Sequence, residues 1–299
     1  MRRKLYLSRF LISGFKLKSQ TRNQKLETRN LKSMNEAKAQ LDAGNLNGAV
    51  EAALNSVKSS PTDVTARTFL FELSCFSGDW ERAEKQLEVI GHQDVNAMIG
   101  SQMFKQNFHA ERNRQRLFSD GLIPECLMNP PKYVEDLINA NNRIREGNLA
   151  EAREILDQVE EVRPAFACKI NGEEHADFRD YNDLTCCVFE AFVKGTYAWI
   201  PFEQVVKVKF MPPKSLRDLF WMQAEIEMTN GTTGEMFLPA LYANSYKSDN
   251  DQVRLGRMTD WRDVGEEIYI GEGLRQFWCD GQEKAILGLR EVEFSHPDE

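Results

Sequence analysis

Three short stretches of this chain share one layout, and that layout constrains the fold more than anything else in it. Gly44-Asn45-Leu46 is followed by Ala49, Gly78-Asp79-Trp80 by Ala83, and Gly147-Asn148-Leu149 by Ala152. The first two glycines are 34 residues apart and the third lies 69 further on, about twice that period. A recurrence of this length marks stacked helix pairs of the tetratricopeptide (TPR) kind. Glycine supplies the left-handed residue that ends the first helix of a pair. Asn or Asp then caps the second helix, and a small Ala lets the two helices approach. Apolar residues follow at helical spacing in Ala49-Ala53-Val57, Ala83-Leu87-Ile90 and Ala152-Leu156-Val159. Pro61 and Pro164 each fall 17 residues after their glycine, where the second helix should stop.

Between Val95 and Pro131 the pattern is degenerate. Val95, Met98, Ile99, Met103 and Phe104 keep helical spacing, but no second turn follows before Asn129-Pro130-Pro131 breaks the chain. The charged run from Glu111 to Arg116 reads as a solvated helix face or, failing that, a docking patch.

After Pro164 the period changes. Val206, Val208 and Phe210 share one face of a strand, and Met222–Met228 alternates apolar and polar residues. Asn230-Gly231 predicts a tight turn into a strand over Glu235–Leu238. Asp280-Gly281 predicts another, joining Arg275–Cys279 to a strand that reaches Phe294. A helix is expected over Asp180–Phe192, although Cys186–Phe189 also suits a strand. The expected fold is therefore α+β and multidomain: a TPR-like α-α superhelix over 34–164, then a β-rich, antiparallel, barrel-like domain over 165–295.

Charge separates the first 33 residues from the rest. They hold ten of the 38 basic residues and one of the 46 acidic ones, Glu27, giving +9 there and −17 in the remainder. They also lack sustained periodicity, so they read as a basic, non-globular extension with Met34 as the native start. An acidic body repels nucleic acid and anionic membrane surfaces. No run approaches the eighteen apolar residues of a membrane helix. The partner expected is a protein, with no nucleic acid and no membrane. None of the six cysteines forms a C-x-x-C pair, which predicts reduced thiols in a cytoplasm.

Two groups of residues carry candidate chemistry. Glu173, Glu174, His175, Asp177, Asp180 and Asp183 could bind a divalent metal or supply an acid and a base. They lie on a polar connection after Asn171-Gly172, where solvated charge is common. Arg217-Asp218-Leu219-Phe220-Trp221 and Arg257-Met258-Thr259-Asp260-Trp261 each present an Arg, an Asp and a Trp. One reading pairs each Arg with its Asp to order a loop while the Trp fills the core. The other makes Arg217, Asp218, Trp221, Arg257, Asp260 and Trp261 a recognition surface, since Arg and Trp are favoured binding anchors. Gly271-Glu272-Gly273 lacks the spacing of a dinucleotide site, and no catalytic, cofactor or metal motif is present.

The C-terminal half resembles the ImpE/TagJ family of type VI secretion accessory proteins. Gly195–Pro201, Pro213–Trp221, Gly231–Tyr242 and Val253–Trp261 carry the resemblance, which spans about residues 34–295. It implies a cytoplasmic, non-enzymatic accessory factor with a TPR-like N-terminal region. It further implies binding to the contractile sheath at the small subunit's N-terminal helix, and association with the ClpV-type AAA+ ATPase. It assigns no contact residues. A metal-dependent enzyme built on His175 and its acidic neighbours, or a generic TPR scaffold, are the alternatives.

Overall fold

The computed structural model describes residues 32–93 and 95–296. Residues 1–31 of the expected basic extension lie outside the described residues, and the expected start at Met34 falls in the first turn of the first helix. Helices come first: α1 (32–42), α2 (Leu46–Ser59), α3 (Val64–Ser77), α4 (Trp80–Gly91), α5 (Val95–Asp120), α6 (Lys132–Glu146) and α7 (Leu149–Val162).

The three glycines fall between paired helices, and their backbone hydrogen bonds repeat one motif. Gly44 N–H donates to Leu41 O and Asn45 N–H to Gln40 O. Gly78 and Asp79 do the same to Cys75 and Ser74, and Gly147 and Asn148 to Ile144 and Arg143. With φ of 78°, 71° and 81°, the glycines adopt the left-handed conformation this closure requires. Asn45 and Asp79 accept side-chain bonds from Gly48 N and Arg82 N, as helix caps should. Asn148 makes no such bond; its amide donates to Glu146 instead. Ala49, Ala83 and Ala152 are completely buried, and α2 and α7 stop two residues short of Pro61 and Pro164.

The degenerate stretch is the single helix α5, about 39 Å long at 1.5 Å per residue. Its C-terminal half is buried through Phe108, Ala110, Glu111, Arg114 and Leu117. The run from Glu111 to Arg116 is therefore not one solvated face. Arg112 and Arg116 are outside, while Glu111 and Arg114 point into the protein.

The sheet region contains β1 (Glu125–Cys126), β2 (Cys168–Ile170), β3 (Glu173–His175), β4 (Arg179–Asp180), β5 (Val188–Val193), β6 (Thr196–Pro201), β7 (Val205–Phe210), β8 (Trp221–Met228) and β9 (Thr233–Pro239). After the short helix α8 (Asp251–Arg254) come β10 (Thr259–Asp263), β11 (Tyr269–Gly273), β12 (Gln276–Cys279), β13 (Gln282–Ala285) and β14 (Glu291–Phe294). Nine strands form one sheet in the order β1-β6-β5-β9-β8-β7-β14-β2-β3, with β1 parallel to β6 and every other pair antiparallel. β10–β11 and β13-β12-β4 form two smaller sheets. The expected barrel is not formed: the large sheet is open, ending at β1 and β3.

Other local expectations change for physical reasons. Asp180–Phe192 is not a helix. It holds the end of β4, a 3-10 turn over Asp183–Thr185 and most of β5. β5 is buried through five successive residues, so it shows no alternation, and a short apolar run of that kind does not distinguish strand from helix. A bulge between Val205 and Lys207 shifts Val206 away from the inward face kept by Val208 and Phe210. The alternation over Met222–Met228 holds in β8, where only the opening Trp221 departs from it by being buried beside Met222. Asp280 and Gly281, at φ of 49° and 82°, form the predicted turn, but the chain beyond it makes β13 and then crosses to β14 in the large sheet.

One hydrophobic cluster runs through helices and sheet. Trp221 of β8 meets Phe104 and Phe108 of α5, while Phe220 meets Phe76 of α3 and Trp80 of α4.

Candidate interaction surface and the buried ion network

Where α5 crosses the sheet, the protein buries ionised groups. Arg114 donates from Nε and Nη2 to the two carboxylate oxygens of Glu190 on β5, each at 2.9 Å, and from Nη2 to Leu241 O at 2.8 Å. Arg275, just before β12, donates to the same Glu190 and to Asp180 of β4. Tyr197 on β6 donates to Glu190 at 2.5 Å and accepts from Trp199 Nε1 at 2.7 Å. Asp180 also accepts from Tyr242 Oη, Thr185 Oγ1 and Asn182 N. Glu111 completes the set, accepting from Arg114 and from Trp221 Nε1.

Buried charges are tolerated only when paired and hydrogen-bonded. Burial works to raise the Glu190 pKa, but Arg114 and Arg275 overcome it and hold the carboxyl down at about 2. Both guanidinium groups are buried, at 2% and 3% side-chain exposure. The arrangement fastens α5 to β4, β5 and the residue that opens β12.

The acidic group around His175 does not converge. Glu173 faces Lys284, Glu174 faces Lys169, Asp177 takes two hydrogen bonds from Arg163, and Asp183 faces Arg153 and Arg179. Asp180 belongs to the buried network. His175 lies 3.4 Å from Asp280 through Nδ1, and its buried Nε2 has no partner. Among the described residues no three His, Cys, Asp or Glu side chains are placed to hold a metal ion.

The Arg-Asp-Trp segments do not make internal Arg–Asp pairs. Arg217 reaches Glu72 of α3 at 2.8 Å and lies over the Phe104 ring. Asp218 accepts from the backbone of Lys214 and Ser215. Trp221 is buried against α5. Arg257 donates to Leu41 O and Asp42 O at the end of α1, and Asp260 accepts from Trp261 N. Trp261 packs edge-on against Tyr181 and tilts against Tyr242. Arg217 and Arg257 therefore both tie the sheet region to the helices. Asp251 adds a third tie by accepting from Leu46 N at the start of α2.

Sequence reasoning missed Arg114, Glu190 and Arg275. A signal for Arg114 existed: it lies four residues after Ala110 and three before Leu117, on the apolar face of its own helix. The other end of α5 presents the opposite situation. Val95, Met98, Ile99 and Met103 recur at helical spacing and are 66%, 54%, 61% and 38% exposed. An exposed apolar stripe of this kind is a candidate interaction feature.

Comparison with known proteins agrees over most of the chain. A family model described as ImpE protein matches residues 172–293. The crystal structure of protein VPA1032 from Vibrio parahaemolyticus has a TM-score of 0.80 at 25% identity, covering 87% of this chain and 97% of that one. The type VI secretion system accessory component TagJ of Pseudomonas aeruginosa is 34% identical over 258 residues, which is 86% of this chain and 90% of that protein. On the identity to TagJ over 86% of its length and the ImpE match in its C-terminal half, the chain belongs to the ImpE/TagJ family.

Proposed function

We propose that this chain is a non-enzymatic accessory protein of a type VI secretion system, acting in the cytoplasm by holding other proteins. The observation that carries this reading is the 34% identity to TagJ along nearly its full length. The partners we propose are the small subunit of the contractile sheath and the ClpV-type AAA+ ATPase. The helix pairs bounded by Gly44, Gly78 and Gly147 support a TPR-like cradle for a polypeptide, although α5 interrupts the repeat. The stripe of Val95, Met98, Ile99 and Met103 suits the apolar face of an amphipathic partner helix. Among the described residues no helix is long and apolar enough to cross a membrane, which fits a role among soluble partners.

The test is co-purification of the tagged chain with the sheath small subunit and with the ATPase, each expressed alone. Retention of either supports the reading, and Ile99→Asp should then weaken it by at least about tenfold. Failure to retain both partners would count decisively against it.

A further inference from the structure

Cys186 and Cys187 are consecutive, and the fold brings their sulfur atoms to 3.3 Å of one another. They lie between the 3-10 turn over Asp183–Thr185 and the start of β5, with Cys186 at φ −54° and ψ −30°. The turn is pinned from two sides: Asp180 N–H donates to Cys186 O and Phe202 N–H to Cys187 O, both at 3.0 Å. It also separates Asp180 from Glu190, the two carboxylates that Arg275 joins.

The two thiols have different surroundings. Cys187 is completely buried, whereas Cys186, at 2% exposure, lines a cleft of about 170 Å³ beside α7. That is several times the ~30 Å³ a water molecule occupies in the liquid, so a solute of hydrogen peroxide size fits. Arg153 and Arg179 line the same cleft, and the buried Nε of each has no hydrogen-bond partner among the described residues. Arg179 is close enough for its charge to act on Cys186. The carboxylates of the cleft, Asp157, Glu160 and Asp183, are paired with Arg153, Arg163 and Arg179 respectively. Cations and N–H donors beside a sulfur favour a reacting thiolate and a departing oxygen. At Cys187 the contact with Cys186, and then burial, push the thiol far up. Cys187 therefore keeps its proton, its S–H donates to Cys186, and Cys186 is the sulfur left to react.

We propose that Cys186 and Cys187 form a hydroperoxide-sensitive pair that closes to a vicinal disulfide. The Cys186 sulfur attacks the outer peroxide oxygen and an S–O bond forms as the O–O bond breaks. The alcohol, or water from hydrogen peroxide, leaves with the Cys186 proton. The Cys187 sulfur then attacks Cys186, the S–O bond breaks, and water leaves with the Cys187 proton. Two electrons pass from the sulfurs to the peroxide. Closure brings the sulfurs from 3.3 Å to about 2.0 Å. Consecutive Cα atoms lie about 3.8 Å apart, below the usual span of a disulfide, so the ring is strained and a small thiol reopens it. The chemistry rests on neither proposed secretion partner.

The test exposes the purified full chain to hydrogen peroxide, stops the reaction with catalase, and alkylates the remaining thiols in urea. Mass spectrometry then reads the tryptic peptide 180–194, which carries both cysteines, against the peptide carrying the buried Cys75. Peptide 180–194 should lose two hydrogen atoms at least about tenfold faster than Cys75 is oxidised, and dithiothreitol should restore it. In urea that preference should vanish. Cys187→Ala should stop at a sulfenic acid on Cys186, trapped by dimedone added with the urea, while Cys186→Ala should leave Cys187 unoxidised over the same time. Equal rates for the two peptides in the native protein would overturn the proposal. So would the same preference in urea, which would trace it to adjacency in the chain alone. Oxidation of Cys186 to sulfinic acid with no disulfide would overturn it as well. The wild-type comparison decides these points even if a variant fails to fold.

Discussion

Arg114 on α5 and Glu190 on β5 meet through two parallel hydrogen bonds of 2.9 Å, and each side chain is only 2% exposed. The pair joins the helical half to an interior strand of the sheet. Arg114→Met would leave Glu190 with Arg275 as its only cation and remove the bond to Leu241 O. Removing one partner of a buried pair costs about 3–5 kcal/mol. In a chain of this size that lowers Tm on the order of 10 °C. Calorimetry on wild type and variant checks this. A loss below about 1 kcal/mol would mean that the network does not fasten the two halves.

Glu190 also sets an acid limit. Against the effect of burial, Arg114 and Arg275 lower its pKa from 4.5 to about 2. A carboxyl depressed in the folded state stabilises fully above its unfolded pKa, and that stabilisation disappears as pH falls through the folded value. Here the window runs from about 4.5 down to about 2, and the amount at stake is about 3 kcal/mol. Urea unfolding of wild type and Glu190→Gln should therefore give a stability gap that is widest near pH 7 and narrows steadily below pH 4.5. A gap independent of pH would show that Glu190 is not ionised in the folded protein.

Much of the helical half was legible because its signals are local. A Gly-Asn/Asp turn is a short-range instruction, and Gly44, Gly78 and Gly147 all obey it. The alternation of β8 was legible for the same reason: one face is wet and the other dry. β5 was not, because burial on both faces erases the period. Sheet order was also hidden. β14 inserts between β7 and β2 through contacts far apart in sequence, and no local spacing encodes that choice. The candidate segments at Arg217 and Arg257 were correctly singled out as special, but their partners, Glu72 and the end of α1, lie 145 residues away for one and more than 200 for the other. Glu111 and Arg114 were misread because a charged run looks solvated unless its position on the helix face is weighed.

The thiols give a check on the burial pattern. Cys75, Cys168, Cys186, Cys187 and Cys279 are buried, and only Cys126 is partly exposed. Burial pushes the Cys168 and Cys279 thiols up to about 12, so they are also poorly ionised. An aromatic disulfide reagent at pH 8 should titrate about one thiol quickly in the native protein and all six after denaturation. Cys126→Ser should abolish the fast phase. A fast phase that survives this change would place another cysteine at the surface.

The three turn glycines separate backbone strain from crowding. Gly78 and Gly147 have the same role and nearly the same φ, 71° and 81°. Their surroundings differ: a Cβ on Gly78 would lie 2.2 Å from the Tyr246 ring, whereas one on Gly147 meets nothing within 4 Å. Gly147→Ala should therefore cost only the left-handed conformation, roughly 1 kcal/mol. Gly78→Ala should cost that plus displacement of an aromatic ring that packs edge-on against Trp80, for a total on the order of 3 kcal/mol. Chemical denaturation of the two variants side by side reads the difference directly. Equal losses would mean that Tyr246 moves aside freely, and that the loop carrying it does not clamp the α3–α4 turn.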